Sequence, residues 1–192
     1  MKIISISNRK LCNQEFSTQI EKISKSKLVE SIYLREKDLS SNEYKSLLID
    51  CLKICTDTEI FPVKYIDVAK SLNLQNIHLS YQTFMDNYNN LDCFKNISVS
   101  VHNIDEAILS EKFGATRLIT GHIFQTDCKK GVPPRGLNYL KNVCNSVKIP
   151  VYAIGGITSV NAKSVIDCGA TGICIMSSLM QTDNPYDILK KF

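Results

Sequence analysis

Short β-branched runs alternate along the chain with longer stretches whose apolar residues recur every three or four positions. The short runs are Ile3 to Ile6, Val29 to Leu34, Glu59 to Val63, Asn76 to Leu79, Ile97 to Val101, Arg117 to Thr120, Val151 to Ile154 and Gly172 to Met176. Each has the length of a strand. The stretches between them carry a helical period. Tyr44, Leu47, Leu48, Cys51 and Cys55 fall on one helix face, and so do Leu137, Leu140, Cys144 and Val147. Ser40-Ser41-Asn42-Glu43 predicts a capping box, because a serine three residues before a glutamate lets the two residues satisfy each other's free N–H groups. Asn103 and Thr158-Ser159 offer acceptor side chains for two more helix starts, and Gly114 and Gly169 stand where helices should stop.

Eight strands, each followed by a helical segment, predict a parallel sheet of the α/β class. The expected fold is a single compact (β/α)8 TIM barrel over residues 1–192. A doubly wound open sheet competes with it, since about 24 residues per strand–helix unit is lean beside the roughly 250 residues usual for a barrel. Thr83 to Asp92, with three Asn and two Asp, is expected to make a poor helix.

Charge and composition narrow the partners. Twenty-three Lys and Arg against nineteen Asp and Glu leave +4, spread without a basic stripe and with no Trp, so no nucleic-acid partner is expected. No apolar run reaches about eighteen residues, which predicts no membrane span. The amino-terminal apolar run is too short for a signal peptide, and a cytoplasmic location is expected. The eight cysteines contain no Cys-x-x-Cys and read as reduced thiols. Cys144, Cys168 and Cys174 read as small buried apolar side chains, and no metal site is expected.

In a barrel of this kind the chemistry lies at the carboxyl ends of the strands. After the seventh run stand Gly155 and Gly156, and after the eighth Met176 and Ser177. Their backbone N–H groups suit a phosphate; a plain tight turn is the alternative for the glycine pair. The connection after the sixth run, from Gly121 to Gly136, is long, and long loops in compact domains are usually functional. It opens on His122, the candidate catalytic acid and base, imidazole being the side chain that titrates near neutrality. Cys128 in the same Lys-rich loop is a weaker candidate for covalent chemistry than for ligand contact. His78 lies inside the fourth run with either face open to it, and His102 at the end of the fifth is expected only to orient a neighbour. Arg35 and Lys37, after the second run, would suit an acidic ligand. A solvated salt-bridge patch of Arg35, Glu36 and Lys37 explains the same residues equally well.

Nearly the whole chain resembles the thiamine phosphate synthase superfamily, and within it the TenI-type thiazole tautomerases. Gly121-His122-Ile123-Phe124-Gln125-Thr126-Asp127-Cys128-Lys129-Lys130-Gly131 resembles the TenI form of the loop, where synthases carry Pro at the His122 position and Thr-x-Thr-Lys over residues 126–129. Ile149 to Ile157, Ile175 to Ser178, Tyr33 to Lys37 and Val99 to His102 resemble both branches. A synthase carries Asn-Asp after strand three and Gly-Gln-x-Asp/Glu after strand four, with the acids on Mg²⁺. Here these stretches read Phe61-Pro62-Val63-Lys64 and Ser80-Tyr81-Gln82-Thr83, with no carboxylate.

The resemblance implies an isomerase acting on a small-molecule thiazole carboxylate phosphate, with no cofactor. His122 would shuttle the proton. Gly155, Gly156, Met176 and Ser177 would bind the phosphate. Arg35, Lys37, Ser100, Thr126, Cys128 and Lys129 would contact the rest of the substrate. Thiamine phosphate synthase activity and a non-catalytic thiazole or thiamine phosphate-binding regulator are the alternatives. A homodimer is compatible with this reading, and the sequence leaves oligomeric state open.

Overall fold

The alternating pattern becomes an alternating structure. A computed structural model describes residues 1–192. Its first half runs β1 (Lys2–Ile6), α1 (Phe16–Lys25), β2 (Ser31–Leu34), α2 (Ser41–Ile54), β3 (Glu59–Pro62), α3 (Ile66–Ser71), β4 (Asn76–Ser80) and α4 (Tyr81–Asn87). The second half runs β5 (Asn96–Val101), α5 (Ile104–Lys112), β6 (Arg117–Gly121), α6 (Gly136–Ser146), β7 (Val151–Ile154), α7 (Ala162–Asp167), β8 (Gly172–Ile175), α8 (Ser177–Met180) and α9 (Pro185–Leu189). Eight strands alternating with helices make the fold TIM-barrel-like, the class expected from the pattern. No helix is long and apolar enough to cross a membrane.

Contacts divide the chain into two compact units. One comprises Lys2–Ile77 with Ile175–Phe192. It contains the parallel run β3-β2-β1, with Ile32 opposite Ser5 and Ile60, and Tyr33 opposite Ile6 and Phe61. All four residues of β2 are buried, which is why that strand reads as near-continuous apolar sequence rather than as an alternation. The Tyr33 and Phe61 rings stack with centroids 4.6 Å apart. The other unit comprises His78–Cys174 with Met1. It contains the run β8-β7-β6-β5-β4, in which the pairs from β5 to β8 are parallel. Val99, Leu118, Ala153, Val165 and Ile173 are fully buried there.

Local signals decide several helix starts. Ser40 caps α2 in a complete capping box with Glu43, and Asn103 caps α5 by accepting from the Glu106 N–H at 2.8 Å. Three expectations are corrected. Thr158-Ser159 does not open α7. The Asn161 side chain accepts from Thr158 N–H at 2.8 Å and donates to the Gly156 carbonyl at 2.9 Å, closing a turn that delays the helix to Ala162. The Asn-rich stretch after β4 does form a helix. Ser80 caps α4, fully buried Phe84 anchors it, and a 3-10 turn over Tyr88–Asn90 finishes it. None of the eight cysteines forms a disulfide. Cys174 is buried, whereas Cys144 is half-buried because α6 turns Leu140 and Val143 inward instead, and Cys168, just past α7, is half-buried too.

Candidate active site

His122 is the residue after β6, and the loop it opens is fastened at both ends. At the near end Ile123 N–H donates to the Ile154 carbonyl and Phe124 N–H to the Gly155 carbonyl, each at 3.0 Å, so the β6–β7 ladder continues past both strands. At the far end Arg135 N–H donates to the His122 carbonyl at 3.0 Å and Gly136 N–H to the Ile123 carbonyl at 3.1 Å. The Arg135 Nε adds a bond to the Gly121 carbonyl at 3.1 Å. His122 itself is buried, 5% exposed, with Nε2 3.2 Å from the Val132 carbonyl. A carbonyl only accepts, so in the neutral ring the proton belongs on Nε2 and Nδ1 keeps the lone pair. That is the tautomer a proton-accepting Nδ1 requires.

The glycine pair after β7 has a packing role that sequence reasoning missed. Gly155 has φ +101°, and a Cβ there would stand 2.7 Å from His122 Cα and closer still to His122 Cβ. A Cβ on Gly156, with φ +65°, would stand 2.8 Å from Phe124 Cβ. The His122 loop therefore lies directly on these two residues, and nothing larger fits. This demand holds whether or not their N–H groups also meet an anion.

The other predicted residues of this unit divide. Thr126 accepts from the Cys128 N–H at 3.4 Å and so shapes the turn over Asp127–Lys129, where Cys128 and Lys129 are both exposed. They share the loop with His122, whose ring bonds Val132 instead. Ser100 on β5 sits 2.9 Å from His78 Nε2, while Ser98 sits 2.9 Å from His78 Nδ1. His78 thus shares a face with both serines. His102 is a capping element: its N–H donates to Glu106 Oε2 at 2.7 Å and its Nδ1 lies 3.3 Å from the same oxygen.

In the unit that holds β1 to β3, charges sort by alternation. Glu36, 2% exposed, accepts from Ser7 Oγ at 2.7 Å, Arg9 N–H at 3.0 Å and Arg9 Nη1 at 3.1 Å. Asp38 takes Arg9 at 2.7 Å and Lys10 at 2.9 Å, and the Arg9 bond holds its carboxyl well below the usual carboxylate range. The salt-bridge patch of Arg35, Glu36 and Lys37 is therefore not what forms, because both acids turn to the Asn8-Arg9-Lys10 segment. Partial burial, then the like charges of Arg35 and Lys64, lower the Lys37 ammonium below the ordinary lysine range. Ser7 and Arg9 went unpredicted as the partners of Glu36; the available signal was Arg9 standing three residues after β1. Met176 and Ser177 lie in this unit at the start of α8, both half-buried.

A divalent cation does not fit the donor set. β3 ends on Pro62 and is followed by Val63 and Lys64, and α4 opens on Tyr81, Gln82 and Thr83. No group of three or more His, Cys, Asp or Glu side chains is placed to hold a metal ion.

Residues 3–179 match the family described as thiamine monophosphate synthase. A thiamine-phosphate synthase of Clostridium acetobutylicum is 36% identical over 172 residues, covering 83% of this chain and 81% of the relative. One from Fusobacterium nucleatum is 30% identical over an alignment of 201 positions, covering 100% and 97%. Among solved structures, a thiamine phosphate pyrophosphorylase from Pyrococcus furiosus superposes with a TM-score of 0.82 at 25% identity, covering 99% of this chain and 92% of that one. A 3-hexulose-6-phosphate synthase shares the fold with a TM-score of 0.72 at 17% identity.

Proposed function

We propose a function that starts from family membership: the chain belongs to the thiamine monophosphate synthase family. Within this enzyme family of thiamine biosynthesis we assign it the tautomerase role, the aromatisation of a thiazole carboxylate phosphate. The observation that carries the assignment is His122, buried after β6 in a loop fastened at both ends, with Nε2 committed to the Val132 carbonyl. Aromatising a dearomatised thiazole removes one ring proton and delivers another. In this reading His122 Nδ1 takes the first proton, and the resulting imidazolium returns one to the acceptor position. Aromaticity supplies the driving force, and one imidazole does both transfers.

The remaining roles follow the family pattern. Ser100, held by His78, and the loop residues Thr126, Cys128 and Lys129 contact the substrate. Arg35 and Lys37 face its acidic end. Phosphate binding falls to the backbone of Gly155 and Gly156 and, separately, to the Met176–Ser177 turn.

A second reading has a specific finding in its favour: the relatives are named thiamine-phosphate synthases, which are transferases. Against it stand the residues after β3 and β4, which lack the carboxylates a Mg²⁺-assisted displacement of pyrophosphate calls for.

One coupled assay separates the readings. The dearomatised thiazole carboxylate phosphate is supplied with this protein and an independent thiamine phosphate synthase, and thiamine phosphate is followed. Acceleration over spontaneous tautomerisation is expected, with a loss of about 10²- to 10⁴-fold in His122→Ala. Full rate in that variant refutes the mechanism. Thiamine phosphate made by this chain alone from the aromatic thiazole and a pyrimidine pyrophosphate with Mg²⁺ would establish the transferase instead. Ligand binding without turnover would mark a non-catalytic binding protein.

A further inference from the structure

Three non-glycine residues have left-handed backbone: Lys27 (φ 58°), Asn73 (φ 52°) and Lys64 (φ 81°). The first two follow the last residues of α1 and α3, where a helix commonly ends in that conformation. Lys64 ends no helix. It lies between β3 and α3, and a residue held there at a cost persists only where its surroundings over-determine it.

Those surroundings are built. The Tyr44 hydroxyl, on α2, donates to the Leu34 carbonyl at 2.6 Å and accepts from the Val63 N–H at 3.0 Å, tying the ends of β2 and β3 together. The Tyr65 ring stacks on Tyr44 with centroids 4.1 Å apart, and its hydroxyl donates to the Leu39 carbonyl. Lys64 is thus pinned on both sides, its carbonyl accepting from Ile66 N–H at 3.0 Å. Its ammonium lies 5.1 Å from the centre of the Tyr65 ring. The neighbouring acids are spoken for, Glu36 by Ser7 and Arg9, Asp38 by Arg9 and Lys10. Arg35, Lys37 and Lys64 make no ion pair, and the like charge of Arg35 and Lys64 reaches the Lys37 ammonium. Three cations without an acidic partner at the ends of adjacent strands leave a place for an anion.

We infer that Arg35, Lys37 and Lys64 bind an oxyanion group of a small-molecule ligand without a divalent cation, Lys64 supplying fixed positive charge where the strand end offers no carboxylate for a metal. This deepens the proposed isomerase reading by assigning the acidic end of its substrate, but its test needs no turnover. Inorganic pyrophosphate and, separately, oxalate are titrated calorimetrically in EDTA and again with excess Mg²⁺. Binding in EDTA by at least one probe is expected, and the preferred probe tells phosphate-type from carboxylate-type ligands. Mg²⁺ should weaken binding by sequestering the probe.

Lys64→Gly removes the charge and suits the left-handed backbone, so it should melt no lower than the parent while losing about tenfold or more in probe affinity. Lys64→Arg should restore most of the affinity. Binding that requires Mg²⁺, no binding of either probe, unchanged affinity in Lys64→Gly, or a loss of affinity that tracks a fall in melting temperature each overturn the inference. His122→Ala should bind the probes normally, so a failed tautomerase assay and a failed anion site are told apart.

Discussion

Gly155→Ala probes how closely the structure must hold its candidate acid–base residue. Two costs are expected. An alanine at φ +101° sits in the left-handed region, which costs about 1–2 kcal/mol, offset by up to about 1 kcal/mol from the stiffer unfolded chain. The new Cβ would also stand 2.7 Å from His122 Cα, a backbone atom that cannot swing aside as a side-chain tip would. Overpacking of this kind adds about 1–3 kcal/mol. Gly114→Ala is the matched control, because Gly114 has φ +99° but nothing within 4 Å of its Cβ position. The control should lose about 1 kcal/mol or less and Gly155→Ala about 2–4 kcal/mol, read from urea midpoints at equal m-values. Making room moves His122 by roughly an ångström, which in the coupled assay should cost on the order of 10²-fold in rate. If Gly155→Ala matched Gly114→Ala in stability and turned over at the parent rate, close seating of the loop on Gly155 would have no bearing on function.

Two further predictions concern other parts of the fold. Tyr44→Phe strips a partner from the Leu34 carbonyl and the Val63 N–H in a fully buried setting. It should lower stability by about 2–4 kcal/mol in chemical denaturation, and an unchanged midpoint would show that the strand ends do not depend on that hydroxyl. Among the thiols, exposed Cys93 and Cys128 should react first with iodoacetamide in the native protein near pH 8. Burial pushes the Cys51 thiol up to about 12 and the Cys144 thiol up to about 11, so both should stay largely unlabelled by mass spectrometry until denaturant is added. Native labelling of Cys51 as fast as Cys128 would contradict the packing of α2.

Much of this protein is written in local pattern. The strand runs, the Ser40–Glu43 capping box and the Asn103 cap depend on neighbours a few residues apart, and all three came out as read. His122 was legible as a candidate for the same reason, being the first residue after a strand in a fold whose chemistry gathers at strand ends. What stayed hidden depends on partners distant in sequence. Nothing local says that Glu36 turns to Arg9 rather than to Arg35, since the choice rests on β1 and β2 lying side by side. Nor does Gly155-Gly156 announce that His122 and Phe124 rest on it, because that contact exists only once β6 and β7 are paired. The helix at Tyr81–Asn87 runs against its composition because burial of Phe84 outweighs the weak propensity of its asparagine and aspartate neighbours. Periodicity and capping are short-range physics that one chain segment carries by itself. Charge pairing, steric seating and the fastening of the His122 loop are properties of juxtaposed segments, and only the tertiary structure brings those segments together.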